Sequence, residues 1–266
     1  MKMKLLTTIL LTLFLAVLTN AQSKVVPLFD LKSNGLLGGV ENGKYLDAKT
    51  TFERYKGDGK FSLFGATGKT GELTAELKAP DEPCDDFYYA ETKLEGQKGL
   101  AIGAERGWNP APRASKNVSL TDKTYLAVVT EILKLKGLPR AKATIEQAVK
   151  VDLDGDGADE VLLTASSYGG NIMPGAKTND YSFVVLRKIV AGKVKNIFLA
   201  EEYIKKGFQF GAPSRFEVSS IADLNGDGKM EVVVYGEYYE GSGASAYEIK
   251  GSNAVEIKLL EASCGV

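Results

Sequence analysis

Histidine is missing from this sequence, and cysteine is almost missing. The chain of 266 residues has no histidine and two cysteines. Without histidine, neither a Ser-His-Asp triad nor a Cys-His pair can form, and zinc sites that need histidine ligands are excluded. Two cysteines are also too few for an all-cysteine zinc cluster. The absences therefore exclude the commonest nucleophilic enzymes and zinc proteins.

The chain also lacks a charge excess. Its 33 Lys and Arg residues balance 34 Asp and Glu residues, so we expect no nucleic-acid partner. The content of 44% apolar and 25% charged residues is typical of a globular protein. Disordered, collagen-like and coiled-coil chains are excluded on the same grounds.

The N-terminus has the pattern of a secretory signal peptide. Lys2 and Lys4 precede an uncharged apolar run from Leu5 to Leu18, and Ala21 offers a small residue for cleavage. The run is shorter than the roughly 20 residues that a membrane-spanning helix needs. We therefore expect residues 1–21 to be removed and the chain to be exported, periplasmic or secreted, with no membrane insertion after cleavage.

Export makes the two cysteines candidates for one disulfide. Cys84 and Cys264 are the only possible intrachain pair, and disulfides persist in oxidising compartments. The alternative is two separate thiols. A bond would tie the C-terminal end of the chain to its N-terminal half.

After the signal peptide, the patterns divide the chain into three regions. Residues 22–115 carry short runs of β-forming residues between glycines, at 61–64, 72–77, 87–90 and 100–102. Residues 116–139 form a helical connector with a helix predicted at about 121–136, capped by Thr121 and stopped by Gly137. Residues 140–266 contain an internal repeat. The expected fold class is therefore mainly β with one helix.

The repeat is carried by an acidic segment that occurs twice. Residues 152–161 read DLDGDGADEV, and residues 223–232 read DLNGDGKMEV. Each copy lies between β-rich runs and is followed by a predicted long loop and a hairpin, at 181–199 and 246–260. Each repeat is thus predicted to form four strands, a blade-like unit.

Alternating acids in a glycine-rich loop suit a hard cation. Clustered carboxylates repel one another unless a cation offsets their charge. Oxygen ligands at positions 1, 3, 5 and 9 and a carbonyl at position 7 suit calcium better than magnesium, which demands a strict octahedron. The predicted ligands of the two loops are Asp152, Asp154, Asp156, Ala158 and Glu160, and Asp223, Asn225, Asp227, Lys229 and Glu231. An EF-hand is excluded, because position 12 is Leu163 or Val234. The alternative is a pair of metal-free Asp-Gly turns.

These segments resemble the FG-GAP (VCBS-type) repeat of integrin-like β-propellers. The resemblance is specific over about ten residues in each repeat and does not cover residues 22–140. It implies propeller-like four-stranded blades, with a calcium loop between the first two strands of each. The alternative is stacked four-stranded blades, in which the two blade-like sheets pack against the N-terminal sheet as a sandwich. We therefore expect about two calcium ions. The first loop, with four anionic ligands against three, is expected to bind more tightly.

The sequence identifies no catalytic constellation, so we expect an exported, non-catalytic binding or structural module. A protein or a glycan is the expected partner. The tyrosines considered for glycan binding are Tyr168, Tyr235, Tyr238 and Tyr239. The alternative is a carboxylate-dependent hydrolase of the glycosidase type, which needs only two acids. Its candidate acids outside the loops are Asp85, Asp86, Glu105, Glu237 and Glu240.

Overall fold

The computed structural model describes residues 24–94, 96–169 and 172–265. The predicted signal peptide, residues 1–21, lies outside these described residues. The described chain forms sixteen strands and two helices, which confirms the predicted mainly β class. Within the described ranges, no helix is both long and apolar enough to cross a membrane.

The first sheet is built from the N-terminal region and has the strand order β3-β2-β1-β7-β4-β5-β6. The four runs predicted there correspond to β4 to β7, whereas β1 to β3 were not predicted. The strands of this sheet are β1 (Val26–Asp30), β2 (Leu36–Glu41), β3 (Lys44–Leu46), β4 (Lys60–Gly65), β5 (Gly68–Lys78), β6 (Tyr89–Thr92) and β7 (Leu100–Gly103).

Each repeat folds into four consecutive antiparallel strands, as predicted. The first repeat, extended by β8, makes a five-stranded sheet, and the second makes a four-stranded sheet. The prediction of a long loop in the second repeat is wrong, because β14 pairs with β15 through a tight turn at Tyr239-Glu240. The strands are β8 (Lys116–Asn117), β9 (Ile145–Val151), β10 (Glu160–Ser166), β11 (Tyr181–Val190), β12 (Lys193–Tyr203), β13 (Arg215–Ala222), β14 (Glu231–Tyr238), β15 (Gly241–Lys250) and β16 (Asn253–Gly265).

The two helices are α1 (Ala48–Arg54) and α2 (Lys123–Leu135). Helix α2 was predicted at about 121–136, but its N-cap is Asp122 and not Thr121. The Asp122 carboxylate accepts hydrogen bonds from the backbone N–H groups of Thr124 and Tyr125, and a carboxylate there satisfies N–H groups that the first turn leaves unpaired. Gly137 follows the helix with φ +90°, as a C-terminal stop requires. Helix α1 was not predicted.

The three sheets pack face to face, with the second repeat in the middle. One buried cluster joins the first sheet to the four-stranded sheet, with Leu28 and Val233 among its members. Another cluster joins the opposite face of the four-stranded sheet to the five-stranded sheet, with Val232 and Leu186 among its members. Helix α2 covers the outer face of the five-stranded sheet through Val129. The described residues therefore form a stack of three sheets, and a closed ring of blades is not confirmed.

Candidate metal centre

The predicted disulfide is present. Cys84 and Cys264 are bonded, with their Cα atoms 5.7 Å apart. The bond attaches the end of β16 to the segment between β5 and β6. The last strand of the chain is therefore fixed to the N-terminal sheet.

The two acidic segments occupy equivalent places in the fold. The first loop, residues 152–159, connects β9 to β10, and the second loop, residues 223–230, connects β13 to β14. Both lie between the first two strands of their repeat, and the glutamate at position 9 begins the next strand. The loops also touch, because the Met230 N–H donates to the Leu153 carbonyl at 2.8 Å.

The same hydrogen bonds fold both loops. In the first loop, the Asp152 carboxylate accepts from the N–H groups of Gly155 at 2.7 Å and Gly157 at 3.1 Å. In the second loop, the Asp223 carboxylate accepts from Gly226 at 2.6 Å and Gly228 at 2.9 Å. All four glycines have φ between +78° and +88°, which only glycine adopts readily. The repeat seen in the sequence is therefore a repeat of local structure.

The position-9 glutamates also have matching roles. Glu160 accepts from the Leu153 N–H at 2.8 Å, and Glu231 accepts from the Leu224 N–H at 2.8 Å. Both glutamates are buried. Each carboxylate is therefore hydrogen-bonded back to position 2 of its own loop.

Three of the four acidic ligands predicted for the first loop are brought together. Carboxylate oxygens of Asp152, Asp154 and Asp156 lie within 4.8 Å of one another. At position 7, Ala158 and Lys229 donate their N–H groups to Asp156 and Asp227, each at 2.8 Å. The spacing of the acids in the sequence therefore produces a compact group of oxygens.

The first loop contains an ammonium group that its own sequence does not predict. Lys188, on β11, is only 7% exposed, and its Nζ lies 2.8 Å from Asp154 Oδ2 and 2.5 Å from Glu160 Oε1. Burial acts to lower the pKa of Lys188, but these two hydrogen bonds outweigh it and raise that pKa. The lysine is held charged inside the first loop.

The second loop is not neutralised in this way. No ammonium group in the described chain forms an ion pair with Asp223, Asp227 or Glu231. Burial, reinforced by the neighbouring charges of Asp227 and Asp223, raises the pKa of Glu231 to about 8. Burial likewise raises the pKa of Asp223. These buried acids lack the opposite charge that ordinarily compensates a buried carboxylate.

The two loops therefore differ in the charge that accompanies their oxygen donors. The second loop offers hard oxygen donors from Asp223, Asn225, Asp227 and Glu231, and burial disfavours the ionised form of Glu231. In the first loop, Lys188 bonds two of the four predicted side-chain ligands, while Asp154 Oδ1 is buried without a hydrogen-bond partner in the described chain. The first loop is the one in which three carboxylates are shown to converge.

The segment between the two halves braces both loops. The Trp108 indole N–H donates to the Asp223 carbonyl at 2.9 Å, and its ring covers Gly226. The Arg113 guanidinium donates to the carbonyls of Leu153 at 2.6 Å and Gly228 at 2.8 Å. Trp108 and Arg113 therefore fix the loops relative to each other.

Three candidate acids for the hydrolase alternative face a common cavity. Asp85, Asp86 and Glu237 line a space of about 600 Å³ beside the disulfide. Glu237 is paired with Lys32 at 3.1 Å and with Arg215 at 3.4 Å. The remaining candidates, Glu105 and Glu240, do not line this cavity.

Only two of the tyrosines considered for glycan binding lie together. The Tyr238 and Tyr239 rings meet edge-on, with their centroids 6.4 Å apart, and Tyr239 is exposed. Tyr238 also lines the cavity beside the disulfide, whereas Tyr168 lines a different one. Tyr235 is buried, with the Lys32 ammonium 4.1 Å from its ring centroid. The structure therefore does not bring all four rings to one surface.

One signal in the sequence could have revealed Lys188. The two hairpin turns lie 60 positions apart, whereas the two acidic loops lie 71 positions apart. When the two repeats are aligned on these turns, Lys188 falls at the same position as Glu248. A lysine in a mostly apolar strand then aligns with an acid.

Comparison of the chain with known family models, with curated proteins and with solved structures gives no significant match.

Proposed function

We propose that this chain is an exported, calcium-binding protein of FG-GAP-type repeats with a non-catalytic binding or structural role. The observation that carries the proposal is the equivalence of the two acidic loops, which share the hydrogen bonds of positions 1 and 9. The disulfide between Cys84 and Cys264 supports export, because such bonds persist in oxidising compartments. A protein or a glycan is the proposed partner.

Calcium would act by completing the packing of the two repeats. When bound, the ion would supply the positive charge that the buried acids of the second loop lack. Because the loops are joined through Met230 and Leu153, ordering one loop also orders the contact between the two sheets. Metal sites that form only in the folded chain contribute their binding energy to folding.

Chelation tests this proposal. We expect EDTA to lower the melting temperature by about 6 to 12 °C, and added calcium to restore it, since a ligand that binds only the folded state stabilises it by roughly 3 kcal/mol at a hundred times its Kd. The measurement is circular dichroism during heating. Magnesium should restore less, because it needs a stricter octahedral shell.

Matched variants locate the effect in the loops. Asp223→Asn should remove most of the response to calcium. Asp159→Asn should keep it, because Asp159 stands outside the ligand positions and pairs with Lys150 at the surface. A melting temperature that changes with neither EDTA nor calcium would contradict the proposal.

The cavity beside the disulfide favours one second candidate, a carboxylate-dependent hydrolase. Asp85, Asp86 and Glu237 line that cavity, and glycosidases need two acids about 5 to 10 Å apart. This candidate predicts hydrolysis of a nitrophenyl glycoside that Glu237→Gln abolishes and Glu240→Gln leaves intact. Circular dichroism checks that each variant is folded. Absence of hydrolysis by the wild-type protein across a panel of glycosides would leave the non-catalytic proposal alone.

A further inference from the structure

We propose that the cavity beside the disulfide binds an organic ammonium ion, with Asp85 and Asp86 compensating its charge and aromatic rings packing against its apolar part. The inference goes beyond the calcium function, because none of the predicted calcium ligands lines this cavity. It also differs from the glycosidase candidate for the same cavity, since the ligand is a cation and not a neutral sugar.

The cavity lies at one end of the four-stranded sheet. Most of its lining comes from four segments, residues 83–87, 236–238, 242–245 and 263–265. Gly236 of β14 lies opposite Gly243 of β15, and neither has a side chain to fill the space. The volume of about 600 Å³ is within the range of roughly 300 to 1,000 Å³ that encloses an organic ligand. A lone metal ion would leave most of this space unfilled.

A tight turn and the disulfide position the two aspartates. The Phe87 N–H donates to the Cys84 carbonyl at 3.0 Å, so Asp85 and Asp86 are the middle residues of a four-residue turn. Cys84 is bonded to Cys264 near the end of β16. The turn is therefore attached to the sheet before any ligand binds. Such preorganisation reduces the conformational entropy that binding would otherwise cost.

The cavity has acidic lining residues and no basic ones. Asp85, Asp86 and Glu237 line it, and no lysine or arginine of the described chain does. Glu237 is already compensated, by Lys32 at 3.1 Å and Arg215 at 3.4 Å. Asp85 and Asp86 form no ion pair within the described ranges. Two carboxylates therefore remain for a ligand of opposite charge.

Aromatic rings line the same cavity, and each is only partly buried. They belong to Phe87, Phe216, Tyr238 and Tyr247. The Phe216 ring lies beside Gly236, where a Cβ would stand 3.2 Å from it. An ammonium ion over a ring face is attracted by the quadrupole of the ring, and its methylene groups gain apolar contact. Because Asp85 and Asp86 are exposed and their attraction is weakened by water, the rings are what favours an organic cation over a simple ion.

Serine hydroxyls in the lining favour a primary ammonium group. Ser214, Ser242, Ser245 and Ser263 line the cavity. A primary ammonium has three N–H donors, which hydroxyl and carboxylate oxygens can accept. A free polyamine and the lysine side chain of a protein partner share this chemistry, an apolar chain that ends in a primary ammonium group. The experiments below distinguish these two sources.

The first experiment measures ammonium binding to the wild-type protein by isothermal titration calorimetry. The probes are spermidine, a blocked Gly-Lys-Lys-Gly peptide, and the same peptide with both lysines acetylated. We expect one site, with the acetylated peptide at least about tenfold weaker, because acetylation removes the charge and keeps the chain. Binding of spermidine alone supports a free polyamine as the ligand, and binding of the lysine peptide supports a protein partner. Binding of neither, or equal binding of the acetylated peptide, would overturn the inference.

The second experiment removes the charge of the turn. The double variant Asp85→Asn and Asp86→Asn should weaken binding of the ammonium probe by at least about tenfold, since the opposite charge is lost. The double variant Asp58→Asn and Asp159→Asn removes the same charge from exposed residues outside the cavity and should bind as the wild type does. An equal loss in both double variants would show attraction to net charge alone and would contradict a site in this cavity.

The third experiment compares two neighbouring rings. Tyr238→Leu should weaken binding by about threefold, because leucine keeps the apolar contact and loses the ring quadrupole. Tyr239→Leu should have no effect, since Tyr239 does not line the cavity. Unchanged affinity in a Tyr238→Leu variant that circular dichroism shows to be folded would contradict the role of the rings. A Tyr238→Leu variant that fails to fold leaves the aspartate variants as the deciding result.

A neutral sugar gives the opposing outcome. Binding of a cello-oligosaccharide that the double variant Asp85→Asn and Asp86→Asn abolishes, together with no binding of the ammonium probes, would assign the cavity to a glycan and overturn the inference. None of these titrations involves the acidic loops. Their failure is therefore distinguishable from a failure of the chelation test.

Discussion

Asp30 shows how one buried acid joins two sheets. It ends β1, is 0% exposed, and accepts a hydrogen bond from the Ser219 hydroxyl of β13 at 2.5 Å. Its other oxygen accepts from the N–H groups of Lys32 and Ser33. Burial raises the pKa of Asp30, although these hydrogen bonds oppose the shift. The acid therefore keeps its place through hydrogen bonds while its ionised form is disfavoured.

This shift predicts a pH dependence of stability. Because the pKa is higher in the folded chain than in the unfolded one, the stabilisation is complete below the unfolded value, about 4, and is lost as the pH rises through the folded value. Asp30→Asn cannot ionise. We therefore expect the free energy of unfolding of the wild type, relative to Asp30→Asn, to fall between pH 4 and pH 7 in urea titrations.

A surface acid provides the contrast. The hydrogen bond from Lys60 lowers the pKa of Asp58, so any contribution of Asp58 has the opposite sign and strengthens as the pH rises. The same comparison with Asp58→Asn should thus show a small change in the other direction. A wild type that gains stability over Asp30→Asn from pH 4 to pH 7 would contradict the role given to burial.

At the scale of elements, the sequence pattern predicted those turns and helices whose shape depends only on neighbouring residues. The acidic loops follow from Asp and Gly spacing, because a side-chain acceptor and glycines with positive φ produce the turn without help from distant residues. The hairpin predicted at 181–199 also forms, with its turn at Ala191-Gly192. Helix α2 follows from its apolar period. Its cap was misplaced by one residue because Thr121 and Asp122 are both good N-caps.

Strand β2 was missed because its glycines belong to tertiary packing. Gly38 and Gly39 have low β propensity and indicate a turn when taken alone. A Cβ on Gly38 would lie 2.3 Å from the Leu46 carbonyl, and one on Gly39 would lie 2.8 Å from the Thr51 side chain. Glycine allows β3 and α1 to approach this strand closely. No pattern within the strand itself contains that information.

Lys188 was missed for a related reason. Its acidic partners lie 34 and 28 positions away in the chain. A charged residue on a strand is usually solvated, and only the fold brings this one onto the first loop. The oxygen donors of the two loops could therefore be predicted from local spacing. The net charge around them could not, since it depends on side chains that other elements contribute.

At the scale of the whole molecule, the order of the stack differs from the order of the chain. The second repeat comes last in the sequence but packs in the middle, between the N-terminal sheet and the first repeat. The N-terminal sheet and the last strands therefore share a core that joins distant parts of the chain. Bringing the N-terminal sheet and the last strands together from the unfolded chain has a large cost in loop-closure entropy.

The disulfide reduces that entropic cost of folding, so removal of the bond should lower the free energy of unfolding. Cys84 and Cys264 are 180 residues apart. Loops of this length are expected to contribute roughly 5 kcal/mol in the chain-entropy account, and native disulfides typically contribute about 2 to 5 kcal/mol. The double variant Cys84→Ser and Cys264→Ser should lose a free energy of unfolding in that range, measured in urea. Dithiothreitol should destabilise the wild type comparably and leave the double variant unchanged. Equal stability of the two proteins would show that the packing of the first sheet against the last strands needs no covalent help.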